Sequence, residues 1–316
     1  MLAAQAMQAA GLAPGGVPLE RASSITNEVW YAGDWVVRVN TRERRGNLGH
    51  EAEIALLLPD EVGYPPVVDY GSNDVAEWLI HRRVAGDVLS RVWPRLSEDA
   101  RRSATHQLAE RLQAIHQIAG APTPPYLFDD NLECPHQLPP DRTVELLWRS
   151  AELPFVDQTV IMEAVQFVEG NAAYLAGGGT GLVHGDLHFE NVLWHESQIS
   201  AVLDLEWARP AAPDIDLDVL LRFCAHPFLH VSEDYQQLAR AEDYRLVPKY
   251  LHDAYPDLFA HPHMAERLAV YALSYDVRTL LQDPPDRPID RLPTYHPLRR
   301  IASTVRHQGY LRGIHI

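Results

Sequence analysis

The run His184-Gly185-Asp186-Leu187-His188-Phe189-Glu190-Asn191 is followed, after a hairpin-sized gap, by Val202-Leu203-Asp204-Leu205-Glu206. Short β-forming stretches flank both: Gly181-Leu182-Val183, Val192-Leu193-Trp194 and Ile199 to Leu205. The polar residues therefore fall on turns, with two carboxylates, Asp186 and Asp204, and the carboxamide of Asn191 at strand ends. Phosphoryl transfer asks little covalent work of a protein. It needs a carboxylate to orient the attacking hydroxyl and oxygen ligands to hold Mg²⁺ on the phosphates, and those groups are present. A rival zinc set of His184, Asp186 and His188, alternate residues on one extended segment, leaves Asn191 and Asp204 without a role.

Upstream of this core, Leu19 to Asn40 is rich in β-formers, with Ala32-Gly33-Asp34 as the turn of a hairpin. From His50 to Leu58 the chemistry becomes helical and stops at Pro59. Another β-rich pair, Pro66 to Tyr70 and Ala76 to Val84, ends at Ala85-Gly86-Asp87, a break suited to a hinge. Beyond it Glu98 to Ile118 carries Ala104, Leu108, Leu112 and Ile115 three or four residues apart, and Val160 to Leu175 is similar, so this part of the chain reads as mainly helical. Two closely joined units suit a chain of 316 residues.

Composition narrows the partners. A formal net charge of -16 argues against nucleic acid and anionic membranes, both of which demand a basic surface. The opening stretch Met1 to Gly11 lacks lysine and arginine, is too short to span a bilayer, and reads as a short amphipathic helix. Cys134 and Cys224 have no partner spacing, which fits a reducing compartment and so the cytoplasm. Lys249 is the only lysine.

His-Gly-Asp-x-x-x-x-Asn followed by a second Asp resembles the aminoglycoside phosphotransferase and choline kinase-like family, relatives of the protein kinases. The resemblance implies an α+β, protein-kinase-like two-lobed fold: a small antiparallel nucleotide lobe over residues 1–84 and a larger helical lobe over 85–316. It makes Asp186 the catalytic base, gives Mg²⁺ to Asn191 and Asp204, and makes ATP or GTP the phosphoryl donor. Trp35 to Val39 is similar to the strand whose basic residue grips phosphates. With the lone lysine far downstream, Arg38 takes that place and Glu51 becomes its partner, unless the two form only a surface ion pair. Thr26-Asn27 resembles the family's nucleotide loop, where backbone amides and the hydroxyls of Ser23, Ser24 and Thr26 substitute for missing glycines. Asp216, in Pro213 to Leu217, resembles the family's brace for the catalytic loop.

His188 occupies a position where many protein kinases carry a lysine that touches the γ-phosphate, and either a catalytic or a structural role fits it. The acids Glu190, Glu206, Asp214 and Asp218, balanced locally only by Arg209, are either an attraction for an amine-bearing substrate or a solvated face. The expected acceptor is a small, cationic, aminoglycoside-like molecule, with an amino alcohol, sugar or amino acid as the alternative. A regulatory nucleotide-binding module without turnover would have no need of the proton-accepting Asp186.

Overall fold

The computed structural model describes residues 2–12, 18–22, 24, 27–42, 46–124, 137–176, 179–307 and 309–313. Ser23, Thr26 and Cys134 lie outside them. The chain divides into two compact units. The first comprises Met1–Leu127, Gly181–Pro210 and Phe228–Ala239; the second comprises Phe128–Thr180, Ala211–Pro227 and Arg240–Ile316.

The first unit is built on five antiparallel strands: β1 (Glu20–Arg21), β2 (Glu28–Ala32), β3 (Trp35–Asn40), β4 (Val67–Ser72) and β5 (Glu77–Arg82), in the order β1-β2-β3-β5-β4. The β2–β3 hairpin closes in register at Ala32 and Trp35. Helix α1 (Leu2–Ala9) packs Ala3, Ala6 and Met7 on one side of this sheet, against Val37, Val39 and Ile80. Helix α2 (Asn47–Ala55) uses Leu48 and Ala52 to cover Leu79. Because side chains alternate along a strand, fixing Val37 and Val39 under α1 turns Arg38 to the other face, where Glu51 of α2 meets it.

Helix α2 ends at Ala55, three residues before the expected stop. Leu57 and Leu58 instead make i→i−3 backbone bonds to Ile54 and Ala55. Pro59 accounts for this, since it disfavours α geometry at the residue before it.

The first unit continues through β6 (Asp87–Val88), the short helix α3 (Leu89–Val92) and α4 (Glu98–His116). Ser97 caps α4 by accepting from the Ala100 N–H, and Ala104, Leu108, Leu112 and Ile115 are all buried, as the helical period predicts. The chain returns to this unit as β7 (Gly181–Val183), β8 (Val192–His195) and β9 (Gln198–Val202), with β8 paired to both β6 and β9.

The second unit is helical: α5 (Pro140–Ser150), α6 (Gln158–Asn171), α7 (Asp214–Ala225), α8 (Val247–Ala254), α9 (Met264–Gln282) and α10 (Pro297–His307). Leu147 of α5, Ile161 and Val168 of α6, Leu273 and Val277 of α9 and Leu298 and Ile301 of α10 form one buried apolar cluster. Among the described residues no helix is long and apolar enough to cross a membrane.

Candidate active site

The catalytic-loop candidate leaves β7 at His184. His184 is fully buried and both ring nitrogens are engaged: Nε2 donates to the Leu203 carbonyl at 2.9 Å and Nδ1 accepts from the Asp186 N–H at 3.3 Å. A metal would need one of those nitrogens, so the zinc reading fails. His184 instead ties the loop to the strand that delivers Asp204.

Gly185 has φ 81, and a Cβ there would lie 2.4 Å from the Trp207 carbonyl oxygen, so only glycine fits. The loop ends in a short turn, Phe189–Asn191, anchored by buried Phe189, whose ring packs edge-on against Trp93. The Asn191 side-chain NH₂ donates to the Asp186 carbonyl at 2.9 Å. With its nitrogen committed, the carboxamide keeps its oxygen, a hard donor of the kind Mg²⁺ takes.

His188 has two local tasks. Its Nδ1 accepts from the Glu190 N–H at 3.3 Å and caps the turn, while Nε2 lies 3.6 Å from Asp186 Oδ1. Its ring also leans against His230 at 5.6 Å between centroids. The imidazole thus holds the loop that carries Asp186.

Asp204 has φ 65. The described residues contain three other non-glycine positive φ values, and those of Glu196 and Ser197 are explained by the two-residue turn that closes the β8–β9 hairpin. Asp204 sits in no such turn. Left-handed backbone at a carboxylate beside a charged cluster is local strain that the surrounding contacts must hold, and it makes Asp204 a candidate site residue.

Arg38 joins this residue to α2. Its Nη1 donates to both oxygens of Glu51, at 2.7 and 2.6 Å, and its Nη2 donates to Asp204 Oδ1 at 3.0 Å. Glu206 Oε2 is 3.9 Å from the same Nη2 and accepts from the side-chain amide of buried Asn27 at 3.2 Å. The pair is therefore no surface ion pair: Arg38 is 7% exposed and Glu51 is sealed. Burial works against the guanidinium's charge, but Asp204, Glu51 and Glu206 together raise the Arg38 pKa well above its ordinary value. Glu206 is pushed up to about 8, first by burial and then by the Asp204 carboxylate.

Two more bonds position α2. His50 Nε2 meets the Ala208 carbonyl at 2.7 Å, and Glu51 Oε1 accepts from the Leu205 N–H at 3.1 Å. The segment after Asp204 is thus held by consecutive residues of one helix. Ser24 Oγ donates to the Asn27 carbonyl at 2.5 Å.

The structure brings Arg38, Glu51, Asn27 and Asp204 together, and separately Asp186, His188 and Asn191. It adds Tyr64, whose hydroxyl donates to Glu51 Oε1 at 2.8 Å, a residue with no motif around it in the sequence. The acidic cluster dissolves. Glu190 is bonded to Ser90 and Arg91, Asp214 to Arg267, and Asp218 to Arg222 and Tyr310. Glu206, Asp214 and Asp218 are buried, and Glu190 is largely so, which rules out a solvated face.

The oxygen set of Asp204 and Asn191 suits Mg²⁺, which takes one or two protein ligands and fills its octahedron with phosphate and water oxygens. Among the described residues no group of three or more His, Cys, Asp or Glu side chains is arranged to hold a metal by itself.

Residues 19–250 match the family model described as the phosphotransferase enzyme family. Among solved structures, a choline/ethanolamine kinase family protein from Mesorhizobium loti is 19% identical, covers 99% of this chain and 96% of its own, and has a TM-score of 0.64. A thermostable mutant of aminoglycoside phosphotransferase APH(4)-Ia, in ternary complex with ADP and hygromycin B, is 17% identical over 98% of both chains, with a TM-score of 0.62. The GDP complex of wild-type aminoglycoside 2'-phosphotransferase-IIIa is 17% identical over 95% of both chains, with a TM-score of 0.60. No protein of curated function matches the sequence. At these identities the likeness is one of fold, and the fold is the kinase-like α+β one.

Proposed function

The chain belongs to the phosphotransferase enzyme family and is a small-molecule kinase with an alcohol group as acceptor, and from that premise we propose the following donor, metal and residue roles. The donor is ATP or GTP with Mg²⁺, bound by a lobe spanning residues 1–84, and the rest of the chain, 85–316, carries the catalytic loop and the acceptor site. The observation that carries this reading is the Arg38 fork, which grips Glu51 with one nitrogen and Asp204 with the other.

In this reading Arg38 binds donor phosphate oxygens, and the loop containing Ser23, Ser24, Thr26 and Asn27 lies over them. Asn191 and Asp204 would hold Mg²⁺, which would supply charge neutralisation on the phosphates. Asp186 orients the acceptor hydroxyl and takes its proton as the acceptor oxygen bonds to the γ-phosphorus and the bond to the leaving diphosphate breaks. His188 keeps the Asp186 loop in shape.

The acceptor is a small cationic molecule of the aminoglycoside kind. Its attraction rests on the net charge of -16, since the acids near the catalytic loop are already paired. Similarity to a choline/ethanolamine kinase family protein favours a second reading, an amino alcohol acceptor, in which the cation is retained and the molecule is smaller.

Thermal unfolding with Mg²⁺ plus ATP or GTP tests the donor, because a ligand of the folded state raises its apparent stability. Nucleoside diphosphate release across a panel of aminoglycosides, amino alcohols, sugars and amino acids tests the acceptor. A Mg²⁺-dependent rise with stimulation by one acceptor class is the expected result. No rise with either nucleotide at saturation would end the donor assignment.

A further inference from the structure

Glu51 has no exposure to solvent, yet its main cationic partner is shared with Asp204. When Arg38 turns its Nη2 from Asp204 to a phosphate, the geometry of the whole fork is disturbed, and a buried carboxylate tolerates that only if other donors hold it. Two do so. The Leu205 N–H and the Tyr64 hydroxyl both donate to Oε1, the oxygen that also receives Arg38 Nη1.

The two donors differ in kind. Leu205 adjoins the strained Asp204, so its N–H moves with the residue that would take the metal. Tyr64 stands on ground of its own. It follows the short turn Asp60–Val62, in which Val62 is fully buried, and Gly63 with φ 75, and it precedes Pro65 and Pro66, whose rings fix their φ angles. A donor on a stiff loop, outside both the sheet and the catalytic segment, is a fixed reference for Glu51. Burial and the adjoining carboxylate push the Tyr64 phenol well above its ordinary range, so it remains a donor at working pH.

We infer that Tyr64 is a positioning residue for phosphoryl transfer: by holding Glu51 through its hydroxyl, it lets Arg38 exchange Asp204 for a donor phosphate while the rest of the guanidinium stays aimed. This rests on the nucleotide-site reading above and deepens it. Tyr64 touches neither nucleotide nor acceptor in this role. Its effect passes entirely through Glu51.

The test is direct binding of Mg²⁺ with a non-hydrolysable ATP or GTP analogue to the full chain, in the parent protein, Tyr64→Phe, Glu51→Gln and the double variant, alongside steady-state kinetics and thermal midpoints. Tyr64→Phe keeps the ring and removes one hydrogen bond to a charged group, so affinity falls about tenfold. KM for the nucleotide rises more than kcat falls, the midpoint hardly moves, and in the Glu51→Gln background the same substitution adds little. Unchanged affinity in Tyr64→Phe, an equal loss in the Glu51→Gln background, or a loss that merely follows a lowered midpoint and recovers on cooling would each overturn the role of Tyr64. A parent protein that binds no nucleotide would overturn the site itself, and the two failures are distinct.

Discussion

In the helical unit Asp214, Asp218 and Asp276 each have an arginine of their own, Arg267, Arg222 and Arg300, whereas in the first unit one arginine, Arg38, is shared by Glu51, Asp204 and Glu206. Asp214–Arg267 joins α7 to α9 and Asp276–Arg300 joins α9 to α10, while Asp218–Arg222 lies one turn apart within α7. They leave no charge over. The unbalanced group carries one cation against three carboxylates, and Glu206 within it is pushed up to about 8, first by burial and then by the Asp204 carboxylate. A buried surplus of negative charge costs stability, and a fold keeps such a surplus where a positive ligand repays it. On the proposed function, the difference separates charge that holds helices in place from charge that would meet Mg²⁺ and phosphate.

The largest effect expected is on turnover. Asp186→Ala should lower kcat by about 10²–10⁴-fold, the usual worth of a positioned base, while Mg²⁺–nucleotide binding stays close to that of the parent. Diphosphate release and direct binding check the two halves, and a fully active variant would remove Asp186 from the reaction.

Next comes the contrast between the units. Asp218→Asn leaves Arg222 buried without its carboxylate and should cost about 3–5 kcal/mol in urea unfolding. Asp204→Asn removes a surplus charge and suits a left-handed backbone, so it should leave the metal-free chain as stable as before or about 1 kcal/mol more so, while abolishing the Mg²⁺-dependent thermal shift. Equal destabilisation by both variants would break the comparison.

Arg38→Lys should weaken nucleotide binding about tenfold, since one ammonium cannot reproduce a fork that serves Glu51 and a second oxygen at once. Calorimetric titration with ADP and Mg²⁺ measures this, and a lysine variant of parental affinity would make Arg38 an ordinary point charge.

The smallest effects are those of pH. His81 in the first unit and His226 in the second are each pushed down to about 4, chiefly by burial. Their folded values lie below the ordinary 6.5, so the unfolded chain takes up these protons first. Stability present above about pH 6.5 is lost as pH falls towards 4. Glu206 has the opposite sign. Its folded pKa lies above the ordinary 4.5, so its contribution is present below that value and is lost as pH rises through about 8. Thermal midpoints across this range should fall on both sides, and Glu206→Gln should flatten only the alkaline side; a variant that flattened the acid side instead would contradict the assignment.

Much of this was legible in the chain itself. The three-to-four spacing in α4 reflects local geometry, so Leu108, Leu112 and Ile115 could be assigned to a core before any contact was known. The order His184, Gly185, Asp186, Asn191, Asp204 carried the reaction class for a similar reason: one loop and the next strand supply all of these groups. The reading of the acids failed because charge counted along the sequence misses partners elsewhere in the fold. Asp214 and Arg267 are 53 residues apart, and Glu190 and Arg91 are 99.

The sequence by itself determined which elements form and which residue types reach the catalytic turn, because both depend on neighbours within a few positions. Only the tertiary structure decided that Arg38 bridges Glu51 and Asp204, that Glu206 is buried beside them, and that Tyr64 holds the carboxylate between them. Arg38 and Asp204 stand 166 residues apart, and Asn27 and Glu206 179. No local propensity relates residues so distant; with Val37 and Val39 buried under α1, Arg38 turns to the opposite face, where α2 brings Glu51 beside it.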